Sequence, residues 1–515
     1  MSRSTARLAL VLLLLAQAGV TAYFYLQRRG ALVDDAYISF RYAARWAEGQ
    51  GLTWNDGEAV EGFSNPLWTL GLGLLARAGI PPHVAAPIWG FLAALGATGL
   101  TLVAGRRRGL SAPILAALGA GLALDVGLAV WSGSGLETAL AAFLVALFLL
   151  VAAARRDLRG GFLLGIVASG LVLARPEGAA WVGWGLVWLI WGTWAPGRML
   201  VGFVVGLVPA AGYEAFRIAV FGRALPNPFF AKLEPSGLGL DDGLAALGIW
   251  ALAHAVWSAL LLDGAVRARK QREETDPGGG PPRWNMLPAG LLLLQGGFVI
   301  VAGGDWMGRA RYLVPVLPAL YLLAALALRE RRAGAVPARL TVGAALAVQV
   351  VLGWVLRDTI PTYTREGRRL GEWLAGVADS SDTIAVTAAG AIPYFSGLPA
   401  VDILGINDPD VARRPPRHTG AWAPGHHRYD LEQLLDRAPT WIVWDFGVRL
   451  NGHRWRTYEH WAEGERGKLD YRQELFAHPR FTERYEVDMS APRETQGVYT
   501  VYRKKDRRPE RAGGP

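Results

Sequence analysis

The 515-residue chain contains no cysteine, and charged side chains make up only 19% of it. Without cysteine there is no disulfide framework, so any part outside a membrane must hold together by packing alone, and cysteine usage says nothing of redox compartment. The charged fraction is below the roughly 25% of soluble domains. Hydrophobic residues reach 52% and are blocked into long runs, which excludes an ordinary soluble globular protein. There is also no HExxH, no Gly-rich nucleotide loop and no nucleophile elbow, so none of the chemistries those motifs mark has a signature here. The net charge of +10 does not indicate nucleic acid as a partner, because the arginines stand in short clusters between apolar runs. That is the orientation signal of an integral membrane protein.

A spanning helix needs about 20 mostly apolar residues. Candidate runs lie at 6–26, 83–105, 110–130, 136–154, 161–174, 178–194, 199–219, 244–263, 286–303, 311–328 and 337–357. The first follows Arg3 and Arg7, ends at Gln27-Arg28-Arg29 and lacks a small-residue cleavage motif, so a retained helix is expected rather than a removed signal peptide. Ala174-Arg175-Pro176-Glu177-Gly178 breaks the fifth and sixth runs. The weaker run at 66–79 begins with Asn65-Pro66 and reads as an interfacial helix.

Threading these spans with a cytoplasmic N-terminus puts Arg106 to Arg108, Arg155, Arg156, Arg159, Arg198, Arg267 to Arg283 and Arg329 to Arg339 on the inner side. The outer side receives the first loop 27–82, Trp131 to Gly135, Arg175 to Glu177, Phe221 to Asp242, Gly303 to Arg311 and everything after 357. Polar side chains near a bilayer are tolerated where they line a cavity, so one outward-facing polar site is expected.

After residue 357 the hydropathy changes. Asp382 to Gly390 reads as a strand entering a Gly turn, Trp441 to Phe446 as a buried strand, and 482–503 as a hairpin. The predicted fold is an α-helical polytopic membrane domain over 1–357, an extracytoplasmic C-terminal α/β domain over 358–505 and a disordered tail, 506–515, with a flexible connector at Thr275 to Pro282.

One ordered series of motifs runs through this architecture. VDDAYISFRYA (33–43) is followed by EGQGLTWN (48–55), VEGFSNPLWT (60–69), LARPEG (173–178), LPNPFFAK (225–232), GGDWMGRARYLVPVLP (303–318) and AAGAIPYFSGLPAVDILGINDPDVAR (388–413). The series resembles the polyprenyl-phosphate-sugar-dependent GT-C glycosyltransferases, and within them the group that contains the mycobacterial terminal arabinofuranosyltransferase. The resemblance implies a multi-span membrane domain, about eleven helices here, with a catalytic Asp in the first outer loop. It also implies a lipid-phosphate sugar donor and an outer C-terminal domain, in a bacterial cytoplasmic (inner) membrane protein.

The chemistry assigns roles to residues. An acceptor hydroxyl that attacks an anomeric carbon must lose its proton, so a carboxylate is needed beside it. Asp34 or Asp35 is the expected base, and the other orients Arg41 or caps the helix that starts here. The departing phosphate calls for cations, with Lys232, Arg309, Arg311 and Arg175 as candidates. Sugar and acceptor contacts are expected from Arg41, Glu61, Ser64, Asn65, Trp68, Asp305 and Trp306. In the C-terminal domain, Asp402, Asn407, Asp408, His426 and His427 stand in polar loops that the resemblance folds back over the membrane site. No spacing motif demands a metal, and a divalent cation is left open. The expected partners are a polyprenyl-phosphate-linked sugar donor, a cell-envelope glycan or lipid acceptor, and membrane lipids. The reading is an inverting glycosyltransferase, with arabinofuranose as a candidate sugar. A transporter would show repeat symmetry and midplane charges, and a lipid-binding scaffold would make no demand on the Asp pair.

Overall fold

The computed structural model describes residues 3–27, 30–153, 157–192, 197–232, 240–275, 284–305, 307, 311–329, 343, 346–351, 363–415, 428–445, 471–495 and 498–507. Trp306, Arg309, His426 and His427 lie outside them, as do the connector beyond Thr275, the tail from 508 and most of the run 337–357. Every other apolar run becomes helix. In chain order these are α1 (Arg3–Gln27), α2 (Asp34–Ala47), α3 (Pro66–Arg77), α4 (Pro82–Arg107), α5 (Ala112–Ala123), α6 (Val126–Ser132), α7 (Thr138–Ala152) and α8 (Leu158–Ala174). They continue with α9 (Gly178–Val187), α10 (Gly197–Gly206), α11 (Val208–Phe221), α12 (Asn227–Lys232), α13 (Leu240–Ala253), α14 (Ala255–Thr275), α15 (Met286–Val301) and α16 (Leu317–Arg329). By length and composition four helices can cross a membrane among the described residues, or six if each of two bent pairs counts as one span, and four shorter apolar helices stand beside them. The chain is a multi-pass membrane protein.

Sequence explains the boundaries. Proline at the start of α3 and α4 fits a position whose N–H has no helical partner. Gly222, at φ +70°, closes α11 in the left-handed conformation. Between α8 and α10 glycines recur four apart on both helices, and a Cβ on Gly161, Gly165, Gly202 or Gly206 would stand 2.0–2.4 Å from a backbone oxygen of the other helix. Only glycine permits that approach. Gly161 lies against Met199 and Gly165 against Phe203, so α8 and α10 run in the same direction and the chain must return between them. The Arg175 to Glu177 break is therefore a reversal, with α9 leading back.

The run 244–263, one of the candidate spans, is bent by 94° between α13 and α14. No proline or glycine marks the site; His254 stands in it.

In the C-terminal region, helix α17 (Thr364–Val377) precedes a five-stranded sheet of order β2-β1-β3-β5-β4, formed by β1 (Ile384–Val386), β2 (Ala400–Asp402), β3 (Trp441–Asp445), β4 (Tyr485–Val487) and β5 (Tyr499–Lys504). β1 pairs in parallel with β2 and β3, while β5 is antiparallel to β3 and β4. Alternation places Ile384 and Val386 on one face and Ala385 on the other. The first face packs with Leu370, Leu374 and Ile392, and also with Ile38, Tyr42, Leu52, Trp54 and Phe63 of the first loop. One hydrophobic core thus belongs to both regions. Helix α18 (Ala391–Ser396), after β1, lies on this boundary.

Candidate active site

Four separate stretches meet at the first loop. Val33 N–H donates to the Ser134 carbonyl at 2.9 Å, which ties the start of α2 to the Ser-Gly turn before α7. Asn227 N–H donates to the Glu61 carbonyl at 2.9 Å, and its side-chain amide donates to the Gly405 and Ile406 carbonyls, each at 2.9 Å. The LPNPFFAK segment is thereby pinned between the first loop and the C-terminal domain.

The two adjacent aspartates have different surroundings. Asp34 is 3% exposed; its carboxylate accepts the Gly390 N–H and the Ala391 N–H, each at 2.9 Å. It sits on the start of α18 in the other domain, where free N–H groups and the helix dipole favour an anion. Asp35 retains 21% side-chain exposure and faces the Lys232 ammonium at 3.6 Å. Asp35 is also among the anions that act on the Arg311 guanidinium.

Arg311 and Arg175 have internal carboxylate partners. Arg311 Nε donates to Asp305 Oδ2 at 2.6 Å, and Asp305, buried beyond the Gly303-Gly304 turn, also accepts the Met307 N–H at 3.1 Å. Arg175 lies between Glu137, at 2.7 Å, and Glu177, at 2.5 Å. Burial disfavours its charge, but Glu177 and Glu137 more than offset this and hold the guanidinium above its ordinary range. The Tyr312 ring is shared by the two cations, with Arg311 at 4.9 Å and Arg175 at 5.5 Å from its centre. Trp131 lies 5.6 Å from Arg311. Lys232, about a third exposed, is the most accessible cation of the described group.

Several residues expected at a sugar are instead committed inside the protein. Arg41 is buried and donates to the carbonyls of Trp54, at 3.0 Å, Leu398, at 2.9 Å, and Pro393, which joins the first loop to α18 and the strand after it. Burial pulls its pKa down to about 9. Glu61 accepts from Tyr213 at 2.7 Å and Arg217 at 2.6 Å. Burial raises its pKa, against the pull of Arg217. Trp68 has no exposed surface, donates to the Gly135 carbonyl at 3.0 Å and stacks on Trp89, so no face is left for a sugar.

Asn65 donates to Glu137 Oε2 at 2.7 Å and accepts from Ser39 and Thr69, each at 3.0 Å. Ser64 is half-buried beside it. Asp402 collects the N–H groups of Leu404, Gly405 and Asn407 together with the Asn407 amide, and burial nevertheless pushes its pKa up to about 6. Asn407 accepts from Tyr42 at 3.2 Å, and Asp408 pairs with Arg437 at 2.6 Å. These groups build the loop after β2, whose Gly405 and Ile406 carbonyls receive Asn227.

Two participants were not singled out from sequence, Glu137 and Tyr312. Glu137 is the one carboxylate at the head of the apolar run 136–154, and that is the signal that marks it. Among the described residues no three His, Asp or Glu side chains gather as a metal-binding set.

Comparison with known proteins adds the following. A family model described as a domain of unknown function (DUF8728) matches residues 358–502. The terminal beta-(1->2)-arabinofuranosyltransferase of Mycobacterium tuberculosis (strain ATCC 25618 / H37Rv) is 29% identical over 329 residues, 56% of this chain and 51% of that protein. The chain thus spans about half the length of this curated relative. The structure of ArnT from Cupriavidus metallidurans bound to undecaprenyl phosphate aligns over 95% of this chain and 97% of its own, with TM-score 0.61 and 13% identity. Arabinofuranosyltransferase AftD from Mycobacteria aligns over 98% of this chain and 40% of its own, with TM-score 0.52 and 16% identity. The chain therefore has the GT-C fold, and in sequence it is similar to the mycobacterial terminal arabinofuranosyltransferase.

Proposed function

We propose that this chain is a membrane glycosyltransferase that moves a sugar from a polyprenyl-phosphate donor to a cell-envelope glycan or lipid-linked acceptor, with Asp35 as general base. One observation carries the reading: Asp34 is used up on backbone N–H groups of the C-terminal domain, whereas Asp35 is partly exposed opposite Lys232. In the reaction the acceptor oxygen bonds to the anomeric carbon from the face opposite the phosphate, and its proton passes to the Asp35 carboxylate. The bond from that carbon to the phosphate oxygen breaks, and the lipid phosphate leaves with the electron pair. A single displacement inverts the anomeric centre. Lys232 receives the negative charge that develops on the phosphate. Arg311 and Arg175, each already balanced by carboxylates, shape the field and hold the walls.

The undecaprenyl phosphate in the ArnT complex supports a polyprenyl-phosphate donor, and the name of the mycobacterial relative supports arabinofuranose as the sugar. The distribution of arginine clusters supports a cytoplasmic N-terminus and an extracytoplasmic site.

Purified full-length protein in nanodiscs, incubated with a panel of polyprenyl-phosphate sugars and isolated envelope glycans, tests the proposal. Sugar transfer from one lipid-phosphate donor is expected. Lys232→Met should raise the KM for that donor about tenfold, equivalent to about 1.4 kcal/mol. Lipid binding without transfer from any donor would favour a scaffold and overturn the enzyme reading.

A further inference from the structure

Two helix breaks meet inside the membrane domain, away from the outer-loop residues. α5 and α6 are bent by 51° at Leu124 and Asp125, and α13 and α14 by 94° at His254. Asp125 and His254 are both buried, and His254 Nε2 lies 2.9 Å from Asp125 Oδ2. The same oxygen accepts the Tyr321 hydroxyl at 2.8 Å, while Oδ1 accepts the Leu128 N–H at 2.8 Å and so caps α6. Gln349 joins the two breaks a second time, donating to the Gly121 carbonyl at 2.8 Å and accepting from Trp257 Nε1 at 3.0 Å.

Hydrogen-bond accounting fixes the protons. His254 Nδ1 lies 2.8 Å from the Trp250 carbonyl, which only accepts, so Nδ1 carries a proton. The contact between Nε2 and Oδ2 then holds a second one. The pair is imidazolium with carboxylate, or imidazole with carboxylic acid, and in either form it is neutral overall. Apolar residues of similar volume commonly pack such a junction as well or better, so bundle stability does not ask for this trio. What the polar network adds is direction at the base of α6.

That direction matters because of what α6 carries. The helix is seven residues long, Val126–Ser132, or about 10 Å. At its far end Trp131 lies against Arg311, at 5.6 Å, and the following turn gives the Ser134 carbonyl to Val33, the residue before the Asp pair. A Cβ on Gly90 would stand 2.2 Å from the Ser132 carbonyl, so there is no slack beside it. We propose that Asp125, gripped by His254 and Tyr321, is a positioning residue: through α6 it sets the place of the Ser-Gly turn and hence of the Asp35 carboxylate. This rests on the glycosyl-transfer reading above.

The test uses full-length protein in nanodiscs. Asp125→Asn should lower kcat at least tenfold and leave the KM for the lipid donor within twofold. The double variant with Asp35→Asn should be no slower than Asp35→Asn alone, within twofold, because both act through one carboxylate. A wild-type kcat, or a double variant that multiplies the two losses, would overturn the proposal. A second readout needs no catalysis. The chain has no cysteine, so Asp35→Cys supplies a single thiol whose alkylation rate by a soluble maleimide should change at least fivefold when Asp125→Asn is added. An unchanged rate overturns the positioning role even if transfer itself is never observed. If Asp125→Asn does not fold, Tyr321→Phe replaces it, with about a threefold change expected in kcat and in labelling; no change in either sinks the idea.

Discussion

Asp34 and Asp35 leave the α2 axis about 100° apart, since a helix turns through 3.6 residues, and this is enough to send them to different tasks. Asp34 reaches the N-terminus of α18 and Asp35 faces Lys232. Asp34→Asn would replace one acceptor oxygen by an amide donor facing a backbone N–H, at a cost of about 2 kcal/mol. The variant is expected to melt earlier than wild type and still to transfer sugar at low temperature; dead protein with an unchanged melting temperature would argue against this division. The pair stood out in the sequence, because two adjacent carboxylates after an apolar run serve neither burial nor spanning. Which of them is occupied did not, because the partner of Asp34 lies 356 residues away. The partners of Arg41 and Trp68, both expected at a sugar, were hidden for the same reason. Both have the chemistry of sugar-binding side chains, and both are consumed by distant carbonyls that periodicity cannot locate.

The loop after β2 shows how an element is held by one buried acid. Asp402 organises the turn through Asn407, yet burial raises its pKa to about 6 from an ordinary 3.8. The folded state therefore binds the proton more tightly than the unfolded one. Below pH 4 both states are protonated and the group's contribution is fully present; as pH rises through about 6 the contribution is lost, on the order of 3 kcal/mol. The stability of wild type relative to Asp402→Asn should accordingly fall between pH 4 and pH 6.5 and level off above, followed by chemical denaturation. A difference that stays flat or rises would contradict the assignment. At this scale helices and strands were legible from apolar run length and alternation. The bend at His254 was not, because neither proline nor glycine marks it and the histidine is bonded to a residue on another helix.

In the whole molecule the first loop and the C-terminal sheet share one hydrophobic core, with Ile38, Tyr42 and Trp54 packed against Leu370, Ile384 and Ile392. The C-terminal region expressed alone from residue 358 would expose that face, so it is expected to bind a hydrophobic dye and to unfold without a cooperative transition. Cooperative unfolding of the fragment would mean that the shared core is dispensable. The change in hydropathy made two regions legible, but that they close over each other depends on contacts between stretches hundreds of residues apart. The account as a whole turns on Asp35 as the group that takes the acceptor's proton. The most direct measurement is the single-turnover rate constant for sugar transfer by wild type, Asp34→Asn and Asp35→Asn in nanodiscs at saturating donor. The account predicts a loss of about a hundredfold or more for Asp35→Asn with donor affinity unchanged, and a rate within tenfold of wild type for folded Asp34→Asn. Full transfer by Asp35→Asn, with Asp34→Asn folded but inactive, would contradict it.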